Sequence, residues 1–580
     1  METSYLRRPI PLGAIVLLTL VIYAPPLMMQ LPLTTSYDAN FHIFFASHYA
    51  QHWFNPWNEK WFAGFSQTTY PPLGHQWVAL LSYVFGLKMG LMLVQLIAVV
   101  LTPIGVYRFA RLWVSERASS YAALLSVFLG VMEFLVFSAG QLSTTLSLPL
   151  YLLAVPYFYD WCRSADWRAL LKGIFLTLTA ASVHHVTLIF GSGMVVLPVL
   201  WLALIDRKEG SSSSAILGRA AVFAVLTGVG VGLVLLPYWV AILKHPIEQM
   251  PIPHASRSNL AMNLTYAINY FFVPYGALIL ALPFIFWYGA AQRRLRPLLL
   301  GFWVAFIFGL GGTTPIPRLL LGRAFDILTF ERFTLLAAAL AMPFVGMLAE
   351  RSIDRFGSKA ALGFGLAAVF TLALPMAWLN LTPFHPTSGM NVDSIVSFLN
   401  RDNHDRYRYM TLGVGNALPK ISTYTEAGSV DGEYNSARLL PEMTRYGSAQ
   451  LTSSKYFGSA GMASLRAMLE HADHYGLKYI FLHDPYYRPL LAFAGWRQTE
   501  TYDSGSIEVW VKDDVPPARP VESDAIPAPW EGIIWGTLPM ACSFISILLA
   551  LLLPDRVRAG ETMLEFPAGT PDRVYAQEAH

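Results

Sequence analysis

Charge is what this sequence has least of. Asp, Glu, Lys and Arg make up 13% of its 580 residues, against roughly 25% in a soluble globular chain. That deficit excludes a chain whose whole surface faces water and points to many segments solvated by lipid. Charge of one sign is missing too. Forty Lys and Arg against 37 Asp and Glu leave a formal net charge of +3. The basic residues lie in short dispersed clusters, so no nucleic-acid partner is expected. Cysteine is nearly absent: Cys162 ends one apolar stretch and Cys542 lies inside another, which leaves no disulfide framework. There is no P-loop, no useful GxGxxG, no GxSxG and no paired CxxC, so the common phosphate-loop, dinucleotide, serine-hydrolase and dithiol chemistries have no foothold.

What is present is apolar. Arg7 and Arg8 precede an apolar run from Ile10 that Pro25-Pro26 ends with no small-x-small cleavage site, so a retained first helix is expected. A bilayer core needs about 20 apolar residues per helix. The candidate spans are 10–30, 90–107, 118–138, 142–160, 169–184, 187–205, 219–242, 272–290, 297–312, 331–349, 360–380 and 532–553. The stretch 72–87 is short, carries His75 and Gln76, and is expected to lie along the interface or re-enter. With that choice the basic clusters, among them Arg108/Arg111/Arg117, Arg163/Arg168/Lys172 and Arg293/Arg294/Arg296, fall in every second connection. Positive charge in short loops marks the cytoplasmic side. The expectation is therefore a polytopic α-helical protein of the plasma (inner) membrane, with about twelve spans and both termini cytoplasmic.

The outward segments are then 31–89, 139–141, the turn at 185–186, 243–271, 313–330 and 381–531. The organisation predicted is a transmembrane part over 1–380, an extracytoplasmic α/β domain over 381–530, a last helix over 531–554 and a disordered cytoplasmic tail from 555 to 580. In the α/β part, Tyr407–Leu412 and Lys478–Leu482 read as buried strands and Ala463–Gly476 as an amphipathic helix with a glycine stop. Arg497–Tyr502 and Ser506–Val511, joined through Asp503-Ser504-Gly505, read as a hairpin. Residues 513–529 read as a Pro-rich, acidic linker.

Chemistry is expected in the first outer loop. It holds Asp38, His42, His48, His52, Tyr70 and His75 among aromatic residues that suit a membrane interface. Asp38 precedes a helical pattern, where a carboxylate is either a cap or a functional acid. His48 and His52, four apart, could share a metal. Glu133 lies near an outer span end, where an ionisable residue is a functional candidate. His184 and His185 fall at an outer turn and could meet a phosphate or move a proton. Arg318, Arg323 and Arg332 stand outside against the charge rule, beside Asp326 and Glu331, with Arg257 and His254 in a neighbouring segment. Arginine binds phosphate bidentately, which gives these residues a reason. Asp431, Glu433 and Arg438 form a polar patch that is either an acceptor edge or a turn.

This layout resembles the GT-C superfamily of membrane glycosyltransferases. Asp38-Ala39-Asn40-Phe41-His42 is similar to the Asp-x-x-Phe/Tyr pattern in the first loop of oligosaccharyltransferase-like members. The first loop, Phe330-Glu331-Arg332-Phe333 and Val430-Asp431-Gly432 resemble more closely a bacterial and archaeal membrane family labelled "6-pyruvoyl-tetrahydropterin synthase-related". Nothing in the soluble part reads as a pterin synthase's three-histidine zinc site. The resemblance implies a sugar donor on a polyprenyl phosphate and a glycan, lipid or protein acceptor. Asp38, with Glu133, would be base toward an acceptor hydroxyl, or Asp38 would help hold a divalent ion (Mg or Mn). His42, His184, His185, Arg257, Arg318, Arg323 and Arg332 would bind substrate. There is no Trp-Trp-Asp-Tyr-Gly motif and no Asp-Glu pair in the first loop. The rival readings are a lipid-linked oligosaccharide flippase and a non-catalytic assembly protein for cell-surface polysaccharide. The near-absence of charge in the centres of the spans disfavours transport.

Overall fold

The computed structural model describes residues 8–207, 212–245, 254–381, 390–446 and 450–554. The predicted tail therefore lies outside the described residues. The helical frame runs α1 (Leu12–Met28), α2 (Ala39–Gln51), α3 (Leu73–Phe85), α4 (Leu87–Ala110), α5 (Glu116–Ala139), α6 (Leu142–Ser164) and α7 (Trp167–Val183). It continues with α8 (His185–Ile205), α9 (Ser213–Val234), α10 (Leu236–Lys244), α11 (Leu264–Ala291), α12 (Arg296–Gly309), α13 (Glu331–Phe356) and α14 (Ser358–Leu381). A final helix follows at Pro529–Leu552.

Every predicted span is helical, and eight helices among the described residues are long and apolar enough to cross a membrane. The chain is thus a multi-pass membrane protein. The predicted span 219–242 is broken at Leu235, where Pro237 opens α10. The stretch 72–87 forms the 13-residue α3, about 20 Å long and too short to cross. It turns into α4 at Gly86, whose φ of 78° admits the change of direction. Its Gln76 and Trp77 donate to Trp535 O and Ser543 Oγ of the final helix.

Two helices form the axis of the bundle. The apolar window of α13 is 89% buried and that of α5 83%, whereas those of α9 and α14 are 22% and 17% buried and present apolar side chains outward. Small residues bring the axial pair together: a Cβ on Gly346 would reach Ala118 O at 2.1 Å, the close approach that glycine allows between membrane helices. At one end of this pair Arg117 is tied to Glu350 and Asp354. The functional residues collect at the other end.

The first loop carries a two-stranded antiparallel ladder, β1 (Trp57–Asn58) with β2 (Phe65–Ser66). Between α14 and the final helix lies a four-stranded sheet of order β3-β4-β6-β5, with β3 Arg408–Leu412, β4 Leu477–Leu482, β5 Arg497–Tyr502 and β6 Ile507–Val511. β3 and β4 are parallel and the rest antiparallel. β3 and β4 are largely buried and mostly apolar, Arg408, Thr411 and Lys478 being their polar residues. The predicted helix occurs as Gly458–Glu470 with a short turn Ala472–Tyr475, and Gly476 supplies the left-handed stop. Along the Pro-rich segment Ala518 N donates to Arg406 O, so part of it is pinned to the sheet.

Six of the first loop's aromatic residues are turned into protein, while Tyr37 and Phe54 stay exposed. Phe41, Phe44, Phe45, Trp61, Phe62 and Phe65 are buried in one cluster with Met410, Leu412, Val430 and Leu465 of the sheet unit. Trp61 stacks on Phe44 with centroids 3.9 Å apart and donates to Ser422 Oγ. Only aromatic rings supply this much apolar area from so short a loop.

Candidate functional site

Asp38 stands where the first loop meets the end of α5. Thr35 Oγ1 donates to Phe137 O, Tyr37 N to Ser138 O, and Asp38 N to Ala139 O. Gly140 makes this possible. Its φ is 75°, and a Cβ there would fall 2.8–2.9 Å from Ser36 Oγ, Ala39 N and Asp38 N. Asp38 occupies the N-cap position of α2, yet its side chain makes no cap hydrogen bond. Its main-chain carbonyl accepts from His42 N, and the carboxylate is left for other work.

Burial pushes the Asp38 carboxyl up to about 7; the Glu331 carboxylate pushes the same way and Arg332 acts against both. Glu433 is driven to about 8 by burial, then by Asp38 and Asp431. Two carboxyls that feel each other in a dry place ionise in succession rather than together. Glu433 reaches this point because Ser429 pairs with Tyr409 of β3 and its N–H donates to Lys60 O. Gly432 lies against Trp61 and Phe62 so closely that a Cβ would come within 2.7 Å of the Phe62 ring. The polar patch around Asp431 is thus delivered to the first loop, not to a remote edge.

The N-terminus of α13 completes the cluster. Glu331 accepts from Gln141 Nε2 at 2.5 Å, and its Oε2 has no partner among the described residues. Arg332 Nη2 donates to Thr329 Oγ1 at 2.8 Å, Nη1 lies 3.4 Å from His184 Nε2, and Nε is buried without a partner. No described carboxylate forms an ion pair with Arg332, so its charge is available to a ligand. His184 breaks the chain between α7 and α8, with φ −159°, and its Nδ1 lies 3.0 Å from Thr187 Oγ1. Burial first, then Arg332, holds the His184 ring well below its ordinary range, so it is neutral. His254 is held down by burial, with Glu331 acting against it. A cavity of about 30 Å³ lies between His184, Arg332 and Thr144, room for about one water.

Behind Asp38, His42 Nδ1 lies 2.9 Å from His75 Nε2, while His42 Nε2 and His75 Nδ1 have no described partner. Burial holds His42 at about 4, with the Gly140 carbonyl acting the other way. Phe41, Phe45, Tyr70 and Tyr434 wall this pair. Tyr70 Oη meets Ser143 Oγ, and Tyr434 Oη donates to Thr69 O.

Of the residues expected from sequence, Asp38, His42, His184 and Arg332 come together. His185 stands at the edge, its Nε2 3.0 Å from Tyr238 Oη. Arg257 is half-buried and donates to Leu328 O and Ile327 O, which braces the turn before α13. Arg318 pairs with Asp326 at 3.0 Å with its side chain 63% exposed, and Arg323 is exposed. Glu133 is buried close to Tyr23 of α1, while the charged groups acting on Asp38 are Glu331 and Arg332. His48 Nε2 is engaged by Asn55 O at 2.7 Å. Among the described residues no group of three His, Cys, Asp or Glu side chains is placed to hold a metal ion. Sequence reasoning gave Glu331 and Gln141 no site role, and offered Glu433 only as part of a patch that was either an acceptor edge or a turn. The only signal was their position beside residues that had one.

The fold has known counterparts. The structure of ArnT from Cupriavidus metallidurans in the apo state aligns with a TM-score of 0.54 and 11% identity, over 86% of this chain and 98% of that one. The two chains share a fold. ArnT bound to undecaprenyl phosphate gives a TM-score of 0.53 at 10% identity, over 86% and 97% of the two chains. Arabinofuranosyltransferase AftD from Mycobacteria gives 0.52 at 13% identity over 87% of this chain. The chain spans only 40% of the length of AftD. No protein-family model matches the sequence, and no curated protein does. At these identities the likeness to the GT-C transferases is one of fold.

Proposed function

We propose that the chain is an integral membrane glycosyltransferase that moves a sugar from a polyprenyl-phosphate donor to an acceptor hydroxyl on the outer face of the membrane. The observation that carries this reading is the carboxylate of Asp38: at an N-cap yet not capping, set among Glu331, Glu433 and Arg332. The GT-C fold supports it. So does the charge alternation along the sequence, which argues for about twelve spans, cytoplasmic termini and an extracytoplasmic sheet unit. Within that fold, the first-loop, Phe330–Phe333 and Val430–Gly432 residues relate the chain to the membrane family labelled 6-pyruvoyl-tetrahydropterin synthase-related.

In this mechanism the acceptor oxygen attacks the anomeric carbon with inversion. Its proton passes to Asp38, and the sugar–phosphate C–O bond breaks with its electron pair leaving on the polyprenyl phosphate. Asp38 suits the role because its basicity is raised toward the working pH. Arg332, lacking a carboxylate partner, meets the charge that grows on the leaving phosphate. Neutral His184 accepts from Arg332 and so fixes the guanidinium plane.

The test is transfer of radiolabelled sugar from a panel of polyprenyl-phosphate donors into membranes carrying the wild type or Asp38→Asn at matched levels. Transfer lost in the variant is the expected result. Equal transfer in both removes Asp38 from the mechanism, and no transfer above background from any donor removes the transferase.

A further inference from the structure

A second cavity, of about 290 Å³, opens between the first-loop turn at Ser66–Thr69, the end of α10, the segment around Arg438 and the start of the final helix. That is near the low end of small-ligand sites, about 300–1,000 Å³. Its chemistry is one-sided. Arg438 lines it, is only 5% exposed, and has Nε and Nη1 buried with no hydrogen-bond partner among the described residues. Leaving those donors unsatisfied is costly; Asp431 attracts the guanidinium electrostatically but makes no described hydrogen bond to it, its Oδ2 accepting from Thr452 N. Lys244 and His245 line the same cavity. The one carboxylate in the lining, Glu531, is already engaged by Lys244 Nζ at 3.5 Å and by the Ala528 N–H of its own helix cap. His245 faces Asp524 at 3.5 Å, on a side chain 89% exposed. The helices that wall the cavity also turn apolar side chains outward: Trp239 and Leu243 on α10, Trp530 and Ile533 on the final helix. Tryptophan beside lysine at a helix end marks the membrane–water interface.

We infer that this cavity is an anion site for the phosphate headgroup of a lipid-borne acceptor, with Arg438 and Lys244 as its binding groups. The inference rests on the transferase reading and deepens it. The donor phosphate goes to Arg332, and a separate phosphate-bearing acceptor docks here, its tail in the bilayer beside Trp239 and Trp530.

The experiment is binding, which does not depend on transfer. The full chain in nanodiscs is titrated with pyrophosphate and with a short-chain prenyl pyrophosphate, reading thermal unfolding and calorimetry. It is done in the Arg332→Gln background so that the donor site is silent. Both probes should stabilise the protein. Arg438→Gln should weaken both by about tenfold or more, the loss of a charge-assisted contact. Lys244→Gln, on a half-exposed side chain, should weaken them several-fold. Tighter binding of the prenyl compound supports the lipid-borne headgroup; tighter or equal binding of free pyrophosphate overturns it. Binding unchanged in both variants, or no binding in their parent, overturns the site. Asp38→Asn should bind normally, so failure here and failure of the transferase reading are separate results.

Discussion

The raised basicity of Asp38 makes a prediction about pH that few other arrangements share. Its carboxyl moves from the ordinary 3.8 to about 7. A base must be ionised, and a group titrating at about 7 is about half ionised at pH 7, about 9% at pH 6 and about 1% at pH 5. Between pH 8 and pH 5 kcat/KM should therefore fall about 90-fold. An ordinary carboxylate would lose only about 6% over the same range. The histidines do not produce this limb, since His42 lies at about 4 and His184 is held well below its usual value. The charged neighbours give the limb a sign test. Glu331→Gln removes a repelling carboxylate and should move it to lower pH. Arg332→Gln removes the cation that favours ionisation and should move it to higher pH, whatever it does to the maximal rate. Because Glu433 ionises near 8, the apparent values belong to the pair. The assay is initial-rate transfer at subsaturating donor in nanodiscs, from pH 5 to 8.5. A wild-type profile flat down to pH 5, or a limb that both variants move the same way, would refute Asp38 as the base.

Two further outcomes follow from the same geometry. A carboxyl whose value is raised in the folded state binds its proton more firmly there than in the unfolded chain. Its contribution is then greatest below about 3.8 and is lost as pH rises through about 7. Asp38→Asn removes that loss, so the variant should unfold at a higher temperature than the wild type at pH 8, with the gap narrowing at pH 5 and closing only below about 3.8. The ceiling is about 4 kcal/mol (3.2 units at 1.36 each), less for a partly exposed group; a variant less stable at pH 8 would contradict the burial of the ionised form. Gly140→Val puts a branched side chain at φ 75° and into the Asp38 and Ala39 N–H groups. It should cut transfer by about 100-fold or more, with the far end of the bundle still folded by thermal melt. Wild-type transfer in that variant would show that the loop's docking does not position Asp38.

Much of the fold was legible because its signals are local. Apolar runs gave each helix, and alternation with Asp503-Ser504-Gly505 gave the β5–β6 hairpin to within a residue. Breaks were legible less well: Pro237 splits one predicted span, since a helix-opening proline and a mid-span proline look alike in sequence. For the site, Asp38 and His42 were found from the aromatic first loop, His184 from an outer turn and Arg332 from charge where the membrane rules disfavour it. The approach of Glu433 to Asp38 was not, because it depends on Ser429 pairing with β3 across more than 350 residues of chain from Lys60. No periodicity carries such a contact. The first-loop aromatics show the same limit: density announced burial, and only the tertiary structure says whether lipid or protein buries them.

That burial bears on the chemistry. The loop that carries Asp38 has its backbone stitched to α5 and its rings sunk in the core of the sheet unit. Asp38 therefore meets Glu433 only when both attachments hold. A carboxylate raised toward neutrality needs dry, fixed neighbours, and a loop anchored at one end alone would let water in. The fully buried Trp61, stacked on Phe44 and bonded to Ser422, is the fixed point of the second attachment. Truncating such a ring costs about 3–5 kcal/mol, enough to release the loop while the helices stay packed. In the proposed mechanism the sheet unit therefore belongs with Asp38 through its hold on the first loop, and its distance along the chain from Asp38 is no measure of its distance in space.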